Sequence, residues 1–258
     1  MQSQPIDDTY ISPHRTLPAL VRSCPTAAFY IRTLKIVCQA AWRTRKGYSQ
    51  AQWAADSCTF MRGAEACGLR FIIENVCHFT ELSGPCVVVA NHMSTLETFS
   101  LPYILASHRP ISFVLKKSLT TYPLFQHVVN ATHPIAVSRV NPREDFSVIM
   151  EQGQERLRQG IAVIVFPQTT RAMSLDRTKF NSIGIKLAKK AQVPIIPLAV
   201  KTDAWGMGAW LKDFGPIRPE VPVHFCFGQP LTITGAGKAE HEEVMEFIDW
   251  KLRGWSMA

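Results

Sequence analysis

From residue 69 onward the chain alternates short, unbroken apolar runs with longer stretches whose apolar positions recur at helical spacing. The apolar runs are FIIENV (71–76), CVVVA (86–90), ISFVL (111–115), IAV (135–137), IAVIVF (161–166), PIIPLAV (194–200) and VHFCF (223–227). They predict strands. Those at 86–90 and 161–166 contain no polar position, as strands covered on both faces do. The stretches between them predict helices over 94–106, 142–159, 182–191 and 241–252, with Gly160 ending the second. This alternation predicts an α/β domain: a mainly parallel sheet flanked by helices, with its chemistry where strands end and loops begin.

The first 68 residues show another pattern. Residues 26–43 (TAAFYIRTLKIVCQAAWR) predict a helix about 27 Å long. Arg32, Lys35, Gln39 and Arg43 form one polar stripe, and most of the remainder is apolar. Such a helix suits a lipid headgroup layer, and it equally suits packing against the protein's own core. A second helix is predicted from about Gln50 to Cys67, with Trp53, Ser57, Phe60, Ala64 and Cys67 on one face and Gly68 as its stop. The two predict an antiparallel pair joined near Gly47. The chain therefore divides into 1–68, a polar tail with a membrane-associating amphipathic helical pair, and 69–258, the α/β domain.

Composition narrows the partners. The 258 residues carry a net charge of +8 and a pI near 9.2, which favours anionic partners: nucleic acid, anionic lipid or phosphorylated substrates. The basic residues are dispersed and no nucleic-acid motif is present, so nucleic acid is not expected as a partner. The seven cysteines form no CxxC pair, which points to a reducing compartment without zinc or a disulfide framework. The first residues carry Asp7 and Asp8 and no apolar core, so no signal peptide is expected. No charge-free apolar run reaches the roughly 20 residues needed to span a bilayer.

Two short segments carry candidate chemistry. NHMSTLE, Asn91 to Glu97, comes directly after the buried run CVVVA and sets His92 at a strand's C-terminal end. Imidazole can take a proton from an alcohol near neutral pH, and it works better when a carboxylate holds its other nitrogen. Glu97 is the nearby carboxylate. On a continuous helix, positions five apart point about 140° from each other, so the two meet only if His92 precedes the helix. Ser94 to Glu97 reads as a capping box with Ser94 as N-cap, which predicts that break. The same pattern leaves open that Glu97 only caps the helix and His92 only satisfies core groups. FPQTTR, Phe166 to Arg171, comes after IAVIVF and presents an amide, two hydroxyls and a guanidinium, a plausible seat for phosphate or simply a polar turn. Lys116, Lys117 and Arg139 come after other predicted strands and would line the same rim, unless each is an ordinary surface charge.

In order and spacing, NHMSTLE, the lysine-led KKSLTTYPLFQHVV with IAVSR, FPQTTR and VPIIPLAV resemble the glycerolipid acyltransferase family typified by lysophosphatidic acid acyltransferases. The family pattern is NHxxxxD, a lysine-led block ending in an apolar run and Arg, FPEGTR, and a VPIIPV-like strand; the resemblance covers roughly residues 86–200. It implies a glycerol-3-phosphate acyltransferase-like fold, with 69–258 as the acyltransferase domain. It also implies direct attack of an acceptor hydroxyl on an acyl thioester, with His92 as base and Glu97 orienting it. Asn91, Lys117, Arg139, Pro167, Gln168, Thr169, Thr170 and Arg171 fall in the segments implied to bind substrate. The implied donor is acyl-CoA or acyl-carrier protein, the default acceptor is the lysophospholipid 1-acylglycerol-3-phosphate, and no cofactor, metal or prosthetic group is implied. The implied location is peripheral, at an anionic membrane surface on the cytoplasmic face. Two departures stand out: Glu97 in place of aspartate, and Gln168-Thr169 in place of Glu-Gly. They leave room for another lysolipid acceptor, or for a protein of this fold that binds lipid without turnover.

Overall fold

The computed structural model describes residues 4–123, 125–168, 170–208 and 214–257. An eight-stranded sheet runs through the molecule in the order β1-β2-β8-β7-β3-β6-β4-β5. The strands are β1 (Tyr10–Ile11), β2 (Phe71–Glu74), β3 (Val87–Ala90), β4 (Ile111–Lys116), β5 (Ile135–Val137), β6 (Ala162–Val165), β7 (Ile195–Lys201) and β8 (Val223–Phe227). The helices are α1 (Ala19–Ser23), α2 (Pro25–Arg43), α3 (Gln50–Glu65), α4 (Cys77–Thr80), α5 (Leu96–Ala106), α6 (Gln126–Ala131), α7 (Pro142–Arg158), α8 (Ile183–Ala191) and α9 (Lys238–Met257).

The mainly parallel sheet is present. Strands β3, β4, β5, β6 and β7 run parallel, so their C-terminal ends share one rim. Strand β8 is antiparallel to β7 and parallel to β2. The connection from β7 to β8 has no helix among its described residues, and a parallel return requires a crossover that this segment does not make. The strand predicted at 71–76 ends at Glu74, because Asn75 adopts a left-handed φ of 61°. The short helices α1, α4 and α6 and the edge strand β1 carry too few periodic positions to be read from the pattern.

Residues alternate across the central strands. Val88, Ala90, Ile164, Ile196 and Leu198 face a core shared with α2, α3 and α5. Val87, Val89, Val163, Val165 and Ile195 face a second core with α7, α8 and α9. The N-terminal helices are built into the first core. Phe29 of α2 meets Trp205 edge-on at 4.9 Å and Phe60 of α3 at 5.8 Å, and all three rings are fully buried. Trp53 packs edge-on against Phe113 of β4 at 5.6 Å. Burying a ring of this size stabilises by about 2–3 kcal/mol, so residues 1–68 cannot be stripped away without opening the core. The predicted face of α3 is the one that packs, and its start is a full capping box between Ser49 and Gln52.

Helix α2 exposes a second, apolar face. Ile31, Leu34 and Trp42 are 71%, 55% and 59% exposed, and Ala27 and Cys38 complete an exposed stripe at helical spacing. Exposed Arg32 and Lys35 flank it, and Lys46 lies over the Trp42 ring at 5.1 Å. Arg43, the fourth member of the predicted polar stripe, turns to Asp56 of α3, which also accepts from Tyr48 at 2.9 Å.

Candidate active site

Strand β3 ends at Ala90, and Asn91 sets the course of the chain beyond it. Its side-chain nitrogen donates to the Val200 carbonyl and its oxygen accepts from the Val200 N–H, both at 2.8 Å. The side chain thus takes over the ladder to β7, and the backbone is released into a loop that carries His92. Asn91, expected among the substrate contacts, is buried, and both ends of its amide are bonded to the sheet.

Helix α5 begins only at Leu96, which leaves His92 four residues ahead of it. That break removes the angular conflict between His92 and Glu97: Nδ1 lies 2.8 Å from Glu97 Oε1. The capping pattern is a variant of the predicted one. Thr95 is the assigned N-cap, while Ser94 Oγ accepts from the Leu96 N–H at 3.0 Å and the Ser94 N–H bonds the Glu97 carboxylate. Glu97 therefore caps the helix and holds the imidazole at once. Its Oε1 also accepts from the Met93 N–H at 2.7 Å, and its Oε2 accepts from Thr202 Oγ1 at 2.5 Å, with Ser94 Oγ 3.1 Å away.

The carboxylate is completely buried. Burial alone would raise its pKa; the hydrogen bond and charge of His92, with the bonds from Thr202 and the Met93 N–H, reverse this and hold it below the ordinary glutamate range. A carboxylate only accepts, so the His92 proton sits on Nδ1 and Nε2 is left as the basic atom. The imidazole side chain is 15% exposed and stacks on Phe166, with ring centroids 4.5 Å apart and planes 24° apart. Phe113 stacks behind Phe166 at 6.2 Å.

Strand β6 delivers the second segment. Gln168 is buried, and its Oε1 accepts the His92 N–H at 2.6 Å. The Ala172 N–H returns a bond to the His92 carbonyl at 3.0 Å, so the His92 loop is fastened on both sides to the loop after β6. A glutamate at 168 would accept the same bond but would put a second negative charge close to the buried Glu97. The amide keeps the bond without that repulsion. Gln168 and Pro167, expected among substrate contacts, are both buried, and the Pro167 carbonyl accepts from Asn181.

Arg171 does reach the site. Its Nη1 donates to Thr95 Oγ1 at 2.8 Å, in the turn between His92 and Glu97. Burial is the main influence on the guanidinium and lowers its pKa; the Glu97 charge opposes this, and the Arg139 charge adds to the lowering. Arg139 thus lies within electrostatic reach of Arg171, and a guanidinium stays charged throughout. The Arg139 backbone is left-handed, with φ 60°, a conformation that costs a non-glycine residue about 1 kcal/mol. Asp145 of α7 holds it there, accepting from the N–H groups of Ser138 and Arg139, each at 2.7 Å. Thr170 is exposed, and Lys117 is exposed on a turn just beyond β4 on the same rim. Thr169 lies outside the described residues.

The pattern of residue types missed Thr202. The one available signal was position: a hydroxyl immediately after a buried parallel strand. Two surface clefts lie off this rim. One, of about 350 Å³, is lined by Pro85, Leu157 and Lys190; the other, of about 320 Å³, by His78, Phe247 and Trp250. Neither contains a residue of the His92 constellation.

The chain is 31% identical over 169 residues to the 1-acyl-sn-glycerol-3-phosphate acyltransferase of Pseudomonas aeruginosa, covering 58% of this chain and 65% of that one. It is 34% identical over 117 residues to the probable 1-acyl-sn-glycerol-3-phosphate acyltransferase of Mycoplasma pneumoniae, covering 44% of this chain and 43% of the relative. The chain therefore spans less than two thirds of either relative. The fold superposes on the crystal structure of the 1-acyl-sn-glycerophosphate acyltransferase of Thermotoga maritima with a TM-score of 0.70 at 17% identity, over 93% of this chain and 98% of that one. The sequence pattern of the acyltransferase family matches residues 70–201, just over half of the chain and the whole stretch from β2 to the end of β7, and this protein belongs to that family.

Proposed function

We propose that the protein transfers a fatty acyl group from an acyl thioester to the hydroxyl of a lysophospholipid, by default 1-acylglycerol-3-phosphate, in phospholipid synthesis. The observation that carries this reading is the 2.8 Å contact between His92 Nδ1 and a buried, multiply bonded Glu97 carboxylate, beside the guanidinium of Arg171. Nε2 takes the proton of the acceptor hydroxyl as its oxygen attacks the thioester carbonyl. The new C–O bond forms, the C–S bond breaks, and the proton passes from Nε2 to the departing thiolate. Glu97 stabilises the imidazolium between these steps. The proposed proton route runs through His92 alone and is written without a metal or prosthetic group. Arg171 and Arg139 receive the acceptor phosphate, with Lys117 and Thr170 further out on the rim. Acyl-CoA and acyl-carrier protein both suit such a basic edge as donor.

The proposed location is peripheral, on the cytoplasmic face of a membrane. No helix among the described residues is long and apolar enough to cross a membrane. The exposed stripe of α2 with its basic flank has the makeup of a helix lying in an anionic headgroup layer. Ile31→Glu with Leu34→Glu is expected to weaken binding to phosphatidylglycerol vesicles at least tenfold without lowering Tm, because neither side chain supports the core. Vesicle sedimentation beside a thermal melt checks this.

The defining experiment incubates purified protein with labelled acyl-CoA or acyl-carrier protein and a panel of lysolipids, separates products by mass, and measures lipid binding in parallel. Transfer by the wild type that disappears in His92→Ala supports the proposal. Lipid binding with no transfer by either protein would make this a lipid-binding protein of the same fold. Arg171→Ala is expected to lower kcat/KM for a phosphorylated acceptor roughly 30-fold, mostly through KM, the equivalent of one charge-assisted bond of about 2 kcal/mol. Arg171→Lys should recover only part, since an ammonium lacks the planar fork.

A further inference from the structure

Thr202 is the first residue beyond β7, and it is completely buried. All three of its polar groups are directed at the His92–Glu97 loop. Its Oγ1 donates to Glu97 Oε2 at 2.5 Å, its carbonyl accepts from Ser94 Oγ at 2.8 Å, and its N–H meets Met93 Sδ at 3.4 Å. The flanking residues pin it in place. Lys201 Nζ pairs with Asp203 Oδ1 at 3.0 Å, and Arg218 binds Asp203 Oδ2 at 3.0 Å.

A glutamate carboxylate turns readily about its last torsion, which has a broad energy profile. At Glu97 that rotation must be stopped if Oε1 is to keep facing Nδ1. On the Oε1 side the donors are His92 and the Met93 and Ser94 N–H groups, all from one loop. On the Oε2 side Thr202 is the only described donor that comes from a different element; the other is the Ser94 N–H. We propose that Thr202 is a positioning residue for proton transfer: its hydroxyl, fixed to the end of β7, locks the Glu97 carboxylate so that the imidazole keeps its Nδ1 proton and its orientation. The consequence for turnover rests on the acyl-transfer reading above; the consequence for the His92–Glu97 bond does not.

The test compares Thr202→Ser with Thr202→Ala, which lack the same methyl and differ only in the hydroxyl, on the whole 258-residue chain. Two quantities are read. One is solvent exchange of the His92 Nδ1 proton in protein labelled with ¹⁵N-histidine, its resonance identified by its absence from His92→Ala. The other is kcat and KM for acyl transfer. In Thr202→Ala the Nδ1 proton is expected to exchange roughly tenfold faster, and kcat to fall roughly tenfold with KM within twofold. In Thr202→Ser both stay near wild type. Equal exchange in Ser and Ala variants overturns the proposal, whatever the turnover. Faster exchange in the Ala variant of a protein whose wild type transfers no acyl group upholds the positioning role and overturns the acyl-transfer reading. Thr202→Val, which keeps the volume, replaces the Ala variant if a thermal melt shows the latter unfolded.

Discussion

Replacing His92 with alanine is expected to cut acyl transfer about a thousandfold, with Tm changed by only a few degrees. The size reflects the loss of a general base worth 10²–10⁴ in rate, with no second imidazole among the groups described around Glu97 to replace it. The fold should tolerate the change. The His92 ring lies on Phe166 at the edge of the core, and the bonds that fasten its loop, from its N–H to the Gln168 side chain and from the Ala172 N–H to its carbonyl, use only the backbone of residue 92, which alanine retains. Glu97 keeps its donors from Met93, Ser94 and Thr202. Single-turnover assays with acyl-CoA and 1-acylglycerol-3-phosphate, beside a melt, measure both quantities. A variant retaining a tenth of wild-type activity would remove His92 from the role of base.

Glu97→Ala should act on stability as well as rate. The carboxylate joins the His92 loop, the first turn of α5 and the end of β7, and its loss leaves the Met93 N–H and Thr202 Oγ1 without their acceptor in a buried setting. Stranding such donors costs about 1–3 kcal/mol each, less than additively, so a loss of about 3 kcal/mol and a fall in Tm of about 10 °C are expected, together with loss of transfer. Glu97→Asp should not restore a better site, although aspartate is the residue in the family pattern. With this backbone, one methylene less withdraws the carboxylate from Thr202, and activity should fall. The same group sets a pH dependence. Its folded pKa lies below its ordinary value of 4.5, so its stabilising contribution is complete above that value and is lost as pH falls through the lower folded pKa. Between pH 5 and 3 the Tm of Glu97→Gln should therefore decline less steeply than that of the wild type.

Much of the site was legible because its parts are local. CVVVA and IAVIVF read as buried strands from their lack of any polar position, and His92 and Arg171 come soon after them. The pairing of His92 with Glu97 was readable through the capping pattern, since the geometry of a helix start depends on a few consecutive residues. The roles of Asn91, Pro167 and Gln168 were not. Each is polar or kinked and stands in a segment rich in candidate chemistry, yet each spends its polar groups on a partner from another element. Asn91 finds Val200 across more than a hundred residues, and Gln168 finds the His92 N–H. Helix α2 was ambiguous for the same reason. Its composition allows either an apolar face toward the core or one toward lipid, and the structure has both: Phe29, Thr33, Val37 and Ala40 inward, Ile31, Leu34 and Trp42 outward.

Periodicity and turn chemistry act within a few residues, so the chain by itself determined its strands and longer helices, the parallel α/β class, and the placement of an imidazole and a guanidinium just beyond strand ends. Only the tertiary structure decided that β8 returns antiparallel, that α2 and α3 complete the core, and that Thr202 closes the ring of donors around Glu97. Those outcomes depend on which distant segments meet across the sheet. A hydrogen bond between residues 105 positions apart leaves no trace in the local pattern of either partner.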